Sequence, residues 1–124
     1  MSRDPFEYAV IRLVPRVERG ELVNVGVVLY CQRRDFLAAR THLDEPRVRA
    51  LDPTVDLAAV REALHSWEHT CAEGTAGGEP MRPGECFRWL TAPRSTILQA
   101  GPVHTGLTTD PAADLDRLLT LLVR

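Results

Sequence analysis

The sequence predicts one α+β domain over residues 1–124: an antiparallel sheet of four or five strands with two main helices packed on one face. Three observations carry this. Glu21 to Cys31 is an apolar, valine-rich run whose β-branched residues favour a pleated backbone. It lies between two further strand-like stretches joined to it by short polar links. The second half of the chain holds two stretches with apolar residues three and four apart, each preceded by an aspartate. A chain of 124 residues can bury roughly two thirds of its unfolded surface, enough for one such core. The alternative architecture closes the sheet toward a half-barrel around the last two extended segments.

In the first strand, Glu7 to Arg16, side chains alternate. Ala9, Ile11 and Leu13 form one face; Tyr8, Val10, Arg12, Val14 and Arg16 form the other. Pro15 cannot donate to a ladder and ends the strand. In the central run, Val23, Val25, Val27, Leu29 and Cys31 are expected on the core face, with Asn24, Gly26, Val28 and Tyr30 opposite. A glycine inside such a strand lets another backbone or a ligand come close. Gln32 to Asp35 reads as a tight turn into a third strand, Phe36 to His42. Consecutive strands with short links pair antiparallel.

Asp44 then caps a short helix with Pro46 in its first turn, and Asp52-Pro53 ends it. Asp56 caps a longer helix, Leu57 to about Ala72, in which Leu57, Val60, Leu64, Trp67 and Cys71 form one apolar stripe. Glu73 to Gly84, rich in glycine and proline, reads as a mobile surface loop. Cys86 to Leu90 reads as a helical turn. Ser95 to Ala100 and Val103 to Leu107 look extended, split by Gly101-Pro102. Asp110 and Pro111 start the last helix, with Leu115, Leu118, Leu119 and Leu122 facing inward.

Composition narrows the function. The net charge of −2 disfavours broad binding to nucleic acid or anionic membranes, and 6% aromatic content is low for base-stacking platforms. No apolar run is long enough to span a bilayer, and Met1 to Pro5 starts no signal peptide. Cys31, Cys71 and Cys86 have no CxxC spacing and form neither a disulfide framework nor a zinc set. A cytoplasmic protein is expected, with no nucleic-acid or membrane partner and no cofactor. All basic residues are arginine, a bias that needs no functional cause at most of these sites.

Three groups of residues bear on chemistry. His65-Ser66-Trp67-Glu68-His69 matches the H-x-x-E-H zinc pattern, but helical geometry turns both histidines roughly 130–170° from the apolar stripe, into solvent. No metal site is therefore expected. Arg12 and Arg16 share a strand face, and Asn24 lies on the matching face of the neighbouring strand; arginine forks there suit a carboxylate or phosphate. The third group is Arg94, Ser95, Gln99 and His104, in a stretch fixed by prolines and glycines. It contains no nucleophile elbow, P-loop or paired carboxylates. Together Arg12, Arg16, Asn24, Arg94, Ser95, Gln99 and His104 are the candidate binding residues, expected as one polar cluster.

Tyr8 to Arg16, the Glu21 to Leu29 run around Asn24-Val25-Gly26-Val27, and the Phe87 to Gly106 stretch with Ala92-Pro93-Arg94-Ser95-Thr96 and Pro102-Val103-His104-Thr105-Gly106 resemble the bacterial domain-of-unknown-function family 3037. The resemblance spans nearly the whole chain. It implies a small cytoplasmic bacterial protein with a HipA-type serine/threonine kinase as genomic neighbour, and it implies no established activity. The expected function is a non-enzymatic accessory or regulatory module binding a protein partner, a HipA-like kinase; self-association into a homodimer stays open. The alternative is a small enzyme or ligand-binding domain for a phosphorylated or carboxylated compound, which requires His104 and at least two of the arginines around one concave pocket.

Overall fold

The computed structural model describes residues 2–76 and 78–124. In chain order the elements are β1 (Asp4–Leu13), β2 (Val23–Cys31), β3 (Phe36–Thr41), α1 (Glu45–Leu51), α2 (Leu57–Glu73), β4 (Thr75–Ala76), β5 (Glu79–Pro80), α3 (Pro83–Thr91), β6 (Leu98–Ala100), β7 (His104–Thr108) and α4 (Pro111–Leu122). The main sheet is antiparallel and five-stranded, as expected. β3, β2 and β1 form the meander, and the far side of β1 is shared. β7 pairs with its first half, Asp4 to Tyr8, and β6 with its second half, Ile11 to Leu13. Between them Gly101 to Val103 leaves the ladder, with one bond from the Gly101 N–H to the Val10 carbonyl (2.8 Å).

The strict alternation expected along the central strand fails at one place. Ile11 pairs with Gly26 and Arg12 with Asn24, so Val25 is an extra residue, a β-bulge. Val23, Val25 and Val28 pack into one core, while Val27, Leu29 and Cys31 pack into another. The five apolar residues expected on one face are thus divided between two. Gly26 occupies the bulge because a Cβ there would stand 2.8 Å from the Arg40 carbonyl oxygen and 3.1 Å from both Ile11 Cδ1 and Thr41 Cγ2.

The helices also divide between the two faces. α1, α2 and α3 close the larger core over Ala9, Ile11 and Leu13, with Val48, Val60, Leu64, Phe87 and Leu90. α4 closes the smaller one over Phe6, Val27 and Leu29, through Leu115, Leu118 and Leu119. The sequence reading placed both main helices on one face; the physical reason for the difference lies in β2. Val25, Val27, Val28 and Leu29 are all fully buried, and a strand apolar on successive residues needs cover on both sides. Each such side chain contributes about 1.5–3 kcal/mol by burial.

Local chemistry sets the helix starts. Asp44, Asp56 and Asp110 accept the backbone N–H of Arg47, Ala59 and Ala113 at 3.2, 3.1 and 3.3 Å, caps of about 1 kcal/mol each. The expected α2 stripe, Leu57, Val60, Leu64, Trp67 and Cys71, is buried throughout. Leu122, expected inward, is instead exposed, and Val123 is buried in its place. The Glu73 to Gly84 stretch, expected as a loop, contains the short β4–β5 pair and the start of α3; Gly77 lies outside the described residues. α3 is a nine-residue helix rather than a single turn, since Pro83 sits at its first position and Cys86, Phe87 and Leu90 are buried.

Candidate functional site

Among the described residues α4 covers only part of its face of the sheet. α4 lies against β2 and β3, and β1 presents Tyr8, Val10 and Arg12, all half-buried, beyond it. Across this face runs a polar row. Asn24 of β2, Arg12 of β1 and Gln99 of β6 are direct cross-strand partners. The bulge makes the row: by plain alternation Asn24 would lie on the side of Val28, away from Val27 and Leu29. Asn24 Nδ2 donates to the Leu122 carbonyl at 3.0 Å and so ties the end of α4 to the sheet.

Arg12 is the unusual member. Its guanidinium lies over Gly101, where a Cβ would be 3.0 Å from Cζ and 3.1 Å from Nε. Its Nε is buried and has no hydrogen-bond partner among the described residues. A buried donor left unmet costs about 1–3 kcal/mol, so such groups are rare and mark strain or function. The gap where β6 leaves β1 and β7 joins it opens into a cavity of about 380 Å³. Arg12, Thr91, Arg94, Gln99 and Gly101 are among its walls, and among the described residues no acidic side chain lines it.

Arg94, in the segment after α3, also lines this cavity. It bonds the Trp89 carbonyl and stacks on the Trp89 ring, 4.8 Å from its centroid, a cation–π contact. On its other side lies a second concavity of about 250 Å³, between α2 and the Thr96–Leu98 segment, walled by Ala63, Trp67, Trp89, Leu90 and Ile97. Trp89 is 40% exposed and Ile97 38%, large apolar residues left in water beside a cation. Sequence reasoning missed both. The signal was an aromatic residue five positions before Arg94, in a stretch read as a turn.

Nine of the fifteen arginines have a carboxylate oxygen within 4.0 Å among the described residues; Arg12 and Arg94 do not. Arg88, by contrast, grips Glu7 with two bonds of 2.5 and 2.8 Å. That bond holds the Glu7 carboxyl below the ordinary glutamate range.

The expected cluster is therefore assembled in part. Arg12, Arg94 and Gln99 line one cavity, and Asn24 is beside Arg12 in the row. Arg16 lies past the end of β1, exposed and paired with Glu18 at 3.0 Å. Ser95 is exposed and outside the cavity wall. His104 pairs with Tyr8, its ring 5.3 Å from the tyrosine's, four residues along β1 from Arg12. It does not line the cavity. His65 and His69 are exposed on α2, His65 with 90% of its side chain in solvent. Among the described residues no group of three or more histidine, cysteine or acidic side chains is arranged to hold a metal. The Cys71 thiol is quiet: burial pushes it up to about 12, where almost no reactive thiolate exists at neutral pH.

Fold and site define an α+β module with a carboxylate-free arginine cleft at a sheet edge. The chain belongs to the family described as protein of unknown function, DUF3037, which it matches over residues 8–123. No curated protein and no solved structure matches it. Among the described residues no helix is long and apolar enough to cross a membrane.

Proposed function

We propose that this chain is a non-enzymatic accessory or regulatory module that binds a protein partner. One observation carries the reading: Arg94 joins the apolar concavity of Trp89 and Ile97 to the polar cavity of Arg12 and Gln99. Aromatic and arginine side chains at such a junction are typical anchors of protein recognition. The occupant that fits is a partner segment with an apolar side chain beside an anionic group, the first filling the groove and the second meeting the guanidinium. The enzyme alternative is the weaker reading. It needs a proton-transfer group in the cavity, and His104, its candidate, stands outside.

The partner class follows from the resemblance: a HipA-like serine/threonine kinase, met in the cytoplasm. Self-association into a homodimer is a second use of the same groove. Nucleic acid has no place in this reading, because net charge and aromatic content disfavour it.

The test is co-expression of the chain with the neighbouring HipA-like kinase, followed by affinity capture of wild type, Trp89→Ala and Arg94→Ala. Thermal midpoints of the isolated proteins are measured in parallel. Both variants fold, since both side chains lie at the surface of the groove, and both lose most of the captured kinase. Capture equal to wild type by both folded variants removes the groove from the interface and refutes the reading.

A further inference from the structure

We propose that the cavity between Arg12 and Arg94 is a binding site for a phosphate monoester. The inference deepens the partner-binding reading by naming the anionic group, and it rests on that reading only for the molecule that carries the phosphate. Its basis is the cavity itself.

Two arginines line this space from separate elements, Arg12 from β1 and Arg94 from the segment after α3. Neither has a carboxylate partner among the described residues, in a chain where nine other arginines do. Among the described residues no acidic side chain lines the cavity, so its charge is not answered from within. A single carboxylate would be satisfied by one arginine fork. Two forks from two walls match a group with nearly two negative charges and three terminal oxygens, which is a phosphate monoester. A cavity of about 380 Å³ leaves room for the atoms to which the phosphate is attached.

The resting pose of Arg12 adds an independent point. Its Nε is buried and, among the described residues, unpartnered, with the guanidinium resting on the backbone of Gly101. This pose leaves a donor unmet that a ligand oxygen would satisfy once the side chain turned from Gly101 into the cavity. Gly101 makes the resting pose sterically allowed, since a Cβ there would press on Cζ, Nε and Nη2 at 3.0–3.2 Å. Arg94 is held in the opposite way, fixed by the Trp89 ring and carbonyl. In the proposed site Arg94 stays anchored on Trp89 and Arg12 supplies the unmet donor.

The experiment measures binding of inorganic phosphate by calorimetry and by thermal shift, at fixed ionic strength with chloride as reference. Wild type binds and its midpoint rises. Arg12→Gln and Arg94→Gln each weaken the binding by about tenfold or more, because a charge-assisted contact is lost. If Arg12→Gln fails to fold, Arg94→Gln decides alone, since its guanidinium is held at the surface by the Trp89 carbonyl and ring. A wild type that ignores phosphate, or variants that bind it as well as wild type, overturn the site. Acetate bound as tightly as phosphate overturns the choice of phosphate over carboxylate. Two further probes identify the carrier: a phosphoserine peptide and a nucleoside monophosphate. Tighter binding of the peptide supports a protein carrier. Tighter binding of the nucleotide keeps the phosphate site and overturns the protein carrier, a failure separate from that of kinase capture.

Discussion

Replacing Gly26 with valine tests the bulge on which both the core and the polar row depend. The backbone φ at Gly26 is not positive, so a side chain is not refused on conformational grounds. A substitution there would otherwise gain about 0.4–1 kcal/mol by restricting the unfolded chain. The obstacle is contact. A Cβ meets the Arg40 carbonyl oxygen at 2.8 Å, and that oxygen belongs to β3, which is laddered to β2 and cannot withdraw without stretching its own bonds. Ile11 Cδ1 and Thr41 Cγ2, each 3.1 Å away, crowd the remaining space. Overpacking of this kind costs about 1–3 kcal/mol, and valine adds two methyl groups to the clashing atom. The net effect is a loss of about 2 kcal/mol, hence a fall of roughly 6–10 °C in the midpoint of a domain this size. Gly26→Ala falls less, as the gain and the clash partly cancel. Thermal and urea unfolding measure both. A midpoint for Gly26→Val equal to or above that of wild type would refute the steric argument, since only relief of the contact by an unforeseen shift of β3 could produce it.

Two smaller perturbations probe the neighbours of the site. Asn24→Ala removes the bond to the Leu122 carbonyl and should cost about 1 kcal/mol, with faster amide exchange in the last turn of α4; unchanged exchange there would show that the bond does not hold the helix end. Glu7→Gln removes the pair with Arg88. Because the folded carboxyl titrates below its unfolded value, the pair stabilises above the ordinary glutamate range near about 4.3 and its contribution is lost as pH falls through the lowered value. The gap between wild-type and Glu7→Gln midpoints should therefore be largest at neutral pH and close on acidification; a gap independent of pH would exclude the ion pair as its source.

What could be read from the sequence was whatever depends on one element at a time. The aspartate caps and the α2 stripe need only local spacing, and they stand where the pattern put them. The face of β2 was not local. Alternation from Val23 to Cys31 is broken by one extra residue, and nothing within the strand except Gly26 marks where. An apolar run with valines at both parities carried a second message, that both faces are covered, and α4 accordingly took the side opposite α2. The polar row shows the same limit from the other direction. Arg12 and Asn24 were expected on a common face, and they are partners, yet they meet because the bulge turns Asn24 over. The cavity was further from reach, because its walls come from β1, the end of α3 and the gap between β6 and β7. Gly26 and Gly101 then take related parts. Each stands where a Cβ would press on a neighbour, the first in the strand that aligns Asn24 with Arg12, the second under the guanidinium itself. In the site read this way, the glycines set where Arg12 can lie, and Arg12 supplies the charge.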